Sequence, residues 1–114
     1  MAISETYSGT NVLVIGAETT LNTATPNTTD GVYQLFVDVS NLAAGDVLEV
    51  RVKEKAKSGG TQRAAFTSVL SNAQGTDSAM WVSPSLILMH GWDMTLKQTA
   101  GTGRSFDWSI RAVS

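Results

Sequence analysis

In the final third of the chain, apolar and polar residues alternate strictly in two runs on either side of a short glycine-containing connection. The apolar positions are Trp92, Met94 and Leu96 in the first run and Phe106, Trp108 and Ile110 in the second. Because successive side chains of a β-strand point to opposite faces, each run predicts a strand with one buried and one solvated face. The connection through Gly101 and Gly103 predicts that these two strands pair as a hairpin.

Two earlier segments show the same alternation. Residues 32–39 and 48–52 are apolar at every second position, and the compact corner between them predicts a second hairpin. A glycine-rich turn at 58–61 is followed by a weaker strand at 63–70. The sequence between residues 32 and 70 therefore predicts three strands.

The segments 79–82 and 85–89, on either side of Pro84, carry apolar residues on both faces. Such runs are typical of strands covered on both faces, so we expect them at the centre of a sheet. No segment carries apolar residues at the spacing of an amphipathic helix. The sequence therefore predicts an all-β fold, an antiparallel two-sheet sandwich or jelly roll of about seven or eight strands.

A chain of 114 residues has the size of one domain. The polar residues 1–10 predict an N-terminal arm that could reach a neighbour, and residues 11–114 predict a single sandwich domain. Within that domain, residues 11–16 predict a first strand. The Thr- and Asn-rich segment 18–30 predicts an exposed connection.

Composition excludes several classes of protein. A formal net charge of −2 with 16% charged residues excludes a disordered chain and a generally polycationic nucleic-acid binder. The absence of cysteine excludes a disulfide, a thiolate zinc site and a cysteine nucleophile. The first residues lack the pattern of a signal peptide, and the longest apolar run, 86–89, is too short to span a bilayer. We therefore expect synthesis in a cytoplasm and no membrane contact.

The residues predict no catalytic site. His90 is the only histidine, and its position beside a turn favours a structural role at a strand end. Asp93 and Asp107 are expected on the solvated face of the terminal hairpin rather than as a catalytic carboxylate pair. The glycines lack the spacing of nucleotide-binding loops, and no calcium-loop pattern occurs. The sequence thus predicts a protein that is not an enzyme, with no catalytic, cofactor-binding or metal-ligating residue.

Half of the basic residues recur at every second position of one segment. They are Arg51, Lys53, Lys55 and Lys57. An extended strand would place all four on one side, either as a solvated face or guarded strand edge, or as a stripe that docks on an acidic partner. Glu49 and Glu54 dilute the stripe, so nucleic acid is not the expected partner.

Four segments resemble small structural proteins encoded among the virion genes of tailed bacteriophages. The segments are 1–10 (MAISETYSGT), 31–38 (GVYQLFVD), 81–85 (WVSPS) and 106–111 (FDWSIR). The resemblance covers most of the chain. It carries no active residue to any position here, because such proteins are known mainly as structural components.

The resemblance implies a capsid decoration or cement protein that binds the major capsid protein, or another virion protein, on the outer shell and stabilises capsomer contacts. It implies a location on the capsid surface of the virion after synthesis in the host bacterium. Many identical copies could attach durably through weak contacts. A homo-oligomer, for example a trimer at a three-fold site, would cover open strand edges.

Two alternatives remain open. A head–tail connector or other tail component would form a ring. A carbohydrate-binding module of a head or tail fibre would expose Trp81 or Tyr33 on a flat patch, whereas Trp92 and Trp108 are expected in the core.

Overall fold

The computed structural model describes residues 2–113. Within this range, the regular structure consists of nine strands and one short 3-10 turn at Thr76–Ser78. The strands are β1 (Ile3–Val12), β2 (Glu18–Thr20), β3 (Gly31–Asp38), β4 (Val47–Lys55), β5 (Gln62–Ser71), β6 (Met80–Val82), β7 (Leu86–Leu88), β8 (Asp93–Ala100) and β9 (Ser105–Val113).

The strands form two antiparallel sheets that enclose one core. Sheet A has the order β1-β9-β3, and both β6 and β7 pair with the remaining side of β3. Sheet B has the order β2-β8-β4-β5. With β6 and β7 taken as one interrupted strand, each sheet has four strands, and this order is that of a jelly roll. The predicted all-β sandwich is confirmed.

The core lies between the sheets and uses the alternating positions that the sequence indicated. Buried positions alternate along β3, β4 and β9, and include Leu35, Val37, Leu48, Val50, Val52, Phe106, Trp108 and Ile110. Trp92, just before β8, is fully buried, with its ring centroid 4.4 Å from that of Tyr33. Its indole N–H donates to the carbonyl oxygen of Thr29 at 3.1 Å. Each large apolar side chain buried here contributes about 1.5–3 kcal/mol, so this layer fixes the sheets against each other.

Both predicted hairpins are wrong, although their strands are present. β8 pairs with β2 and β4 in sheet B, whereas β9 pairs with β1 and β3 in sheet A. β3 and β4 also lie in different sheets. Alternation specifies only that one side of a strand meets the core, and two strands can do so face to face as well as side by side. The connections at 39–46 and 101–104 are therefore arches between the sheets.

A buried glutamine shapes the arch between β8 and β9. The fully buried Gln98 donates from Nε2 to the carbonyl oxygens of Ala100 at 3.2 Å and Thr102 at 2.6 Å. Its Oε1 accepts the backbone N–H of Arg104 at 3.0 Å. The Gln98 side chain therefore replaces the strand partners that these backbone groups lose as the chain leaves sheet B.

Asp46 links this arch to the one between β3 and β4. Its buried carboxylate accepts the N–H groups of Ala43 at 2.9 Å and Thr102 at 3.1 Å, and the Nε–H of Arg104 at 2.7 Å. The hydrogen bond from Arg104, with those from the two amides, lowers the pKa of the Asp46 carboxyl. The two arches are thereby joined at one end of the sandwich.

β4 and β5 do form a hairpin, through the turn at 58–61 that the sequence predicted. Its second strand, β5, lies at an edge of sheet B. Residues 79–89 lie at an edge of sheet A, so the central position predicted for them is wrong. β6 pairs with the end of β3 and β7 with its start. These segments are apolar on both sides because one side meets the core and the other forms an apolar outer surface.

The predicted arm at 1–10 and first strand at 11–16 differ from the structure, in which the first strand begins at Ile3 and ends at Val12. Residues 3–12 form β1, an edge strand that pairs with β9, so the segment 3–10 lies in sheet A instead of forming an arm. The segment 18–30 includes β2 and buries Leu21, Asn22 and Asn27, so it is not the exposed connection that was expected. Asn22 explains part of this, because its Oδ1 accepts the N–H of Met94 at 2.9 Å.

Candidate docking surface

The outer face of sheet A carries four apolar side chains in a line across four strands. Ile3 lies opposite Val113, Val113 opposite Val32, and Val32 opposite Ile87. Directly paired residues of neighbouring strands share a face, and Val32 precedes the inward-facing Tyr33, so the line points outward. Ile3 is 70% exposed and Ile87 80% exposed. We call these four residues the apolar row.

A groove of about 190 Å³ lies against the apolar row. Gln34, Phe36, Ser85 and Arg111 contribute to its lining. The guanidinium carbon of Arg111 lies 3.7 Å from the centroid of the Phe36 ring, which is the geometry of a cation–π contact. The groove thus offers apolar walls with one positively charged group between them.

The interrupted strand β6–β7 extends this apolar surface. Val82 pairs with Phe36, and the exposed Met80 pairs with Asp38 at the opposite end of β3 from the apolar row. Ser83 fixes the break between β6 and β7, because its Oγ accepts the N–H of Leu35 at 2.9 Å and its N–H donates to the Leu35 carbonyl at 2.9 Å. Contiguous exposed apolar side chains on a small domain mark an interaction surface.

The outer face of sheet B is different, because most of its charged side chains pair with each other. The Lys53 ammonium lies 2.7 Å from a Glu18 carboxylate oxygen, and the Arg51 guanidinium lies 3.8 Å from the other oxygen. Arg51 also forms an ion pair with Glu49. Charged groups neutralised in this way have little left to offer a partner, so sheet A is the stronger docking face.

The predicted basic stripe is divided into two halves. Arg51 and Lys53 belong to the ion pairs on sheet B. Lys55 and Lys57 lie at the end of the β4–β5 hairpin, and no ion pair within residues 2–113 includes either of them.

We expect Glu18→Gln to lower the free energy of unfolding by less than about 1 kcal/mol at neutral pH, because its ion pairs are solvent-accessible. Partial burial acts to raise the pKa of the Glu18 carboxyl, but hydrogen bonds from Lys53 and Thr95 and the nearby cations together hold that pKa below its usual value. A carboxyl with a lowered folded-state pKa stabilises the protein above its unfolded-state pKa, and this contribution is lost as pH falls through the folded-state pKa.

Urea denaturation at neutral pH and at a pH well below the folded-state pKa of Glu18 tests this assignment. The stability difference between wild type and Glu18→Gln should disappear in acid. A difference that persists at the lower pH would contradict the role of the ionised Glu18.

The titratable residues considered for chemistry are separated. Asp93 is buried in sheet B, where it accepts hydrogen bonds from Asn22 and Gln62, whereas Asp107 lies on sheet A and accepts one from Thr10. Asp93 and Asp107 were expected on the solvated face of one hairpin. The structure places them on different sheets, so this expectation is wrong. Within residues 2–113, no three His, Cys, Asp or Glu side chains are grouped closely enough to hold a metal ion. No helix in that range has the length and apolar character needed to cross a membrane.

The aromatic side chains named for sugar binding face the core. Tyr33 is 2% exposed, and its hydroxyl donates to the carbonyl oxygen of Thr29 at 2.9 Å. Trp81 is half-buried and packs against Phe66, with 6.2 Å between the ring centroids. Neither forms the flat exposed platform on which sugar rings stack.

Sequence reasoning did not identify the apolar row. Its members come from the two ends of the chain and from the segments beside residues 31 and 86, and only the strand register brings them together. One signal was available, because residues 86–89 are apolar at every position, including those that alternation would leave polar. That signal fits an exposed docking face as well as a doubly covered strand.

Comparison of the chain with protein-family models, curated proteins and solved structures found no match.

Proposed function

We propose that this chain is a non-enzymatic structural protein of a tailed-phage virion, a decoration or cement protein that docks on the outer shell and stabilises contacts between capsomers. The observation that supports a docking role most strongly is the apolar row, which leaves two large aliphatic side chains exposed on an ordered sheet. The phage assignment rests on the resemblance of the four sequence segments. The fold is compatible with it, because jelly rolls also build viral capsid domains.

The proposed partner is the major capsid protein or another protein of the virion surface. Burying Ile3 and Ile87 in a contact would contribute about 1.5–3 kcal/mol each, which by itself gives a weak interaction. A shell presents the same site many times, so copies that are linked to each other bind much more durably than one copy alone. This is how a small domain with a modest docking surface can reinforce a large particle.

The carbohydrate-binding alternative receives less support. Tyr33 and Trp81, the aromatic residues it would use, are buried or half-buried. A head–tail connector or tail component could use the same docking face. In that case the protein would be found at the head–tail junction or on the tail and not on the capsid shell.

We expect Ile87→Ser to weaken binding to mature phage heads by about tenfold, because a buried aliphatic contact of at least 1.4 kcal/mol is lost. The measurement is saturable co-sedimentation of the purified protein with heads of the phage that encodes the chain. Val69→Ser is the matched control, since Val69 is also exposed, at 58%, but lies on β5 in sheet B. The control should bind like the wild type.

Equal binding by both variants would remove the apolar row from the docking site. Failure of the wild type to bind heads, together with binding to a glycan array, would favour the carbohydrate-binding alternative.

A further inference from the structure

The end of the β4–β5 hairpin forms a basic groove. The groove measures about 520 Å³, and its lining includes the basic residues Lys55, Lys57 and Arg63 beside Ala56, Ala64 and Ala65. No ion pair within the described residues includes any of the three cations. We call this set of residues the basic tip.

The one carboxylate at the basic tip is already occupied by backbone donors. Glu54 accepts the N–H of Met89 at 2.6 Å, the N–H of His90 at 3.2 Å and the N–H of Lys55 at 2.8 Å. These hydrogen bonds hold the Glu54 carboxylate against the 89–90 turn. The three cations are therefore left to interact with groups outside the chain.

A complementary surface lies on the outer face of sheet A. Glu5, Asp38 and Asp107 line a shallow depression together with Phe36 and the exposed Met80. No ion pair within residues 2–113 includes any of these three carboxylates. We call this set of residues the acidic patch.

The one cation beside the acidic patch does not pair with its carboxylates. Arg111 lies over the Phe36 ring and donates from Nε to the Ser109 hydroxyl at 3.3 Å. It lowers the negative potential of the patch without closing an ion pair. Three carboxylates and one arginine leave the patch with a net negative charge.

The basic tip and most of the acidic patch lie toward opposite ends of the sandwich. Lys55 lies against Gly91, just after β7, and β7 pairs with the start of β3 at Gly31. Asp38 ends β3, seven residue steps of about 3.3 Å away. A second copy can therefore contact one end while the first copy's own surface at the other end stays free.

We propose that the protein self-associates head to tail, with the basic tip of one copy docked on the acidic patch of the next. Three unpaired cations meet three unpaired carboxylates, and the alanines of the tip meet Phe36 and Met80. Because the two surfaces differ, the contact is heterologous and produces a closed ring or an open chain. The four residues of the apolar row are not part of this contact, although the acidic patch shares Phe36 and Arg111 with the groove beside the row.

The test uses two variants that neutralise one surface each. Lys57→Ser with Arg63→Ser removes charge from the basic tip. Asp38→Asn with Asp107→Asn removes charge from the acidic patch while keeping side-chain oxygens for Ser40 and Thr10, which these aspartates hydrogen-bond. Each pair of changes should weaken self-association about tenfold, since exposed ion pairs contribute modestly. Sedimentation velocity over a concentration series measures the association.

An equimolar mixture of the two variants gives the decisive result. Each variant retains one intact surface, so the mixture should form a one-to-one heterodimer and no larger species, at concentrations where each variant alone is monomeric. The wild type should form larger oligomers that dissociate as salt increases. A wild type that stays monomeric up to about 1 mM would overturn the proposal, because even a weak contact is populated there. Oligomers unaffected by either neutralisation, or variants that do not combine, would also overturn it.

Discussion

Replacing Gly101 with alanine is expected to lower the free energy of unfolding by about 2–5 kcal/mol. Gly101 has a φ of +91°, a conformation that costs an L-residue energy, and it sits directly against Asp46. A Cβ at this position would lie 2.7 Å from the Asp46 Cα and closer still to its carboxylate. The methyl group would displace Asp46 from the amides and the guanidinium it binds, so the joined arches would loosen together.

Gly59→Ala is the matched control for this substitution. Gly59 also has a positive φ, +78°, but a Cβ there would meet nothing within 4 Å. The control therefore carries only the backbone cost of about 1–2 kcal/mol. Urea denaturation of both variants separates the two contributions. Equal losses would show that the contact between Gly101 and Asp46 does not constrain the arch.

Gln98→Ala is expected to lower the free energy of unfolding by about 3–5 kcal/mol, because three backbone groups at the arch lose a buried partner. They are the carbonyl groups of Ala100 and Thr102 and the N–H of Arg104. Gln98→Met keeps most of the side-chain volume but offers no hydrogen bonds. Gln98→Met should therefore regain, relative to Gln98→Ala, only the part of the free energy of unfolding that comes from side-chain packing.

Gln74→Ala provides a control with similar bonds at the surface. Gln74 donates to the carbonyl oxygens of Ser71 at 3.2 Å and Asn72 at 3.1 Å, but these bonds are exposed and water can replace them. A loss below about 0.5 kcal/mol is expected there. If Gln98→Ala cost no more than Gln74→Ala, the buried network would not be what stabilises the arch.

The same arch shows where sequence reasoning stops. Alternation located the strands that contain Met94 and Ile110 because it depends on one local fact, that every second side chain meets the core. It could not decide whether those strands pair or face each other, since both arrangements bury the same residues. The distinguishing feature is Gln98, a polar residue on the same inward side as Met94 and Leu96. The sequence does not show that its buried side chain binds the backbone of the arch.

For the candidate surfaces too, the sequence predicts which side chains share a strand face but not which strands lie side by side. The spacing of Arg51 and Lys53 correctly predicts that they share a strand face, but their neutralisation depends on Glu18, which is distant in the sequence and adjacent only through β2–β8–β4 pairing. Ile3 and Ile87 are likewise unrelated in the sequence. Surfaces assembled from several strands depend on register, and register is a property of the whole sandwich.

The prediction of a free N-terminal arm is wrong for a related physical reason. Residues 4–10 are mostly polar because β1 is an edge strand with most of its side chains exposed. A polar composition is equally typical of a free arm and of a solvated edge. What distinguishes them is the backbone pairing with β9, together with contacts such as the hydrogen bond from the Trp108 indole N–H to Asn11 at 2.7 Å.

The orientation of the protein on its partner tests the docking proposal most directly. Cryo-electron microscopy of mature heads saturated with the purified protein would show which face meets the shell. We predict extra density in which sheet A faces the capsid surface, with Ile3 and Ile87 at the contact and the charged face of sheet B turned to solvent. Density with sheet B against the shell, or heads that gain no density at saturating protein, would contradict the proposal.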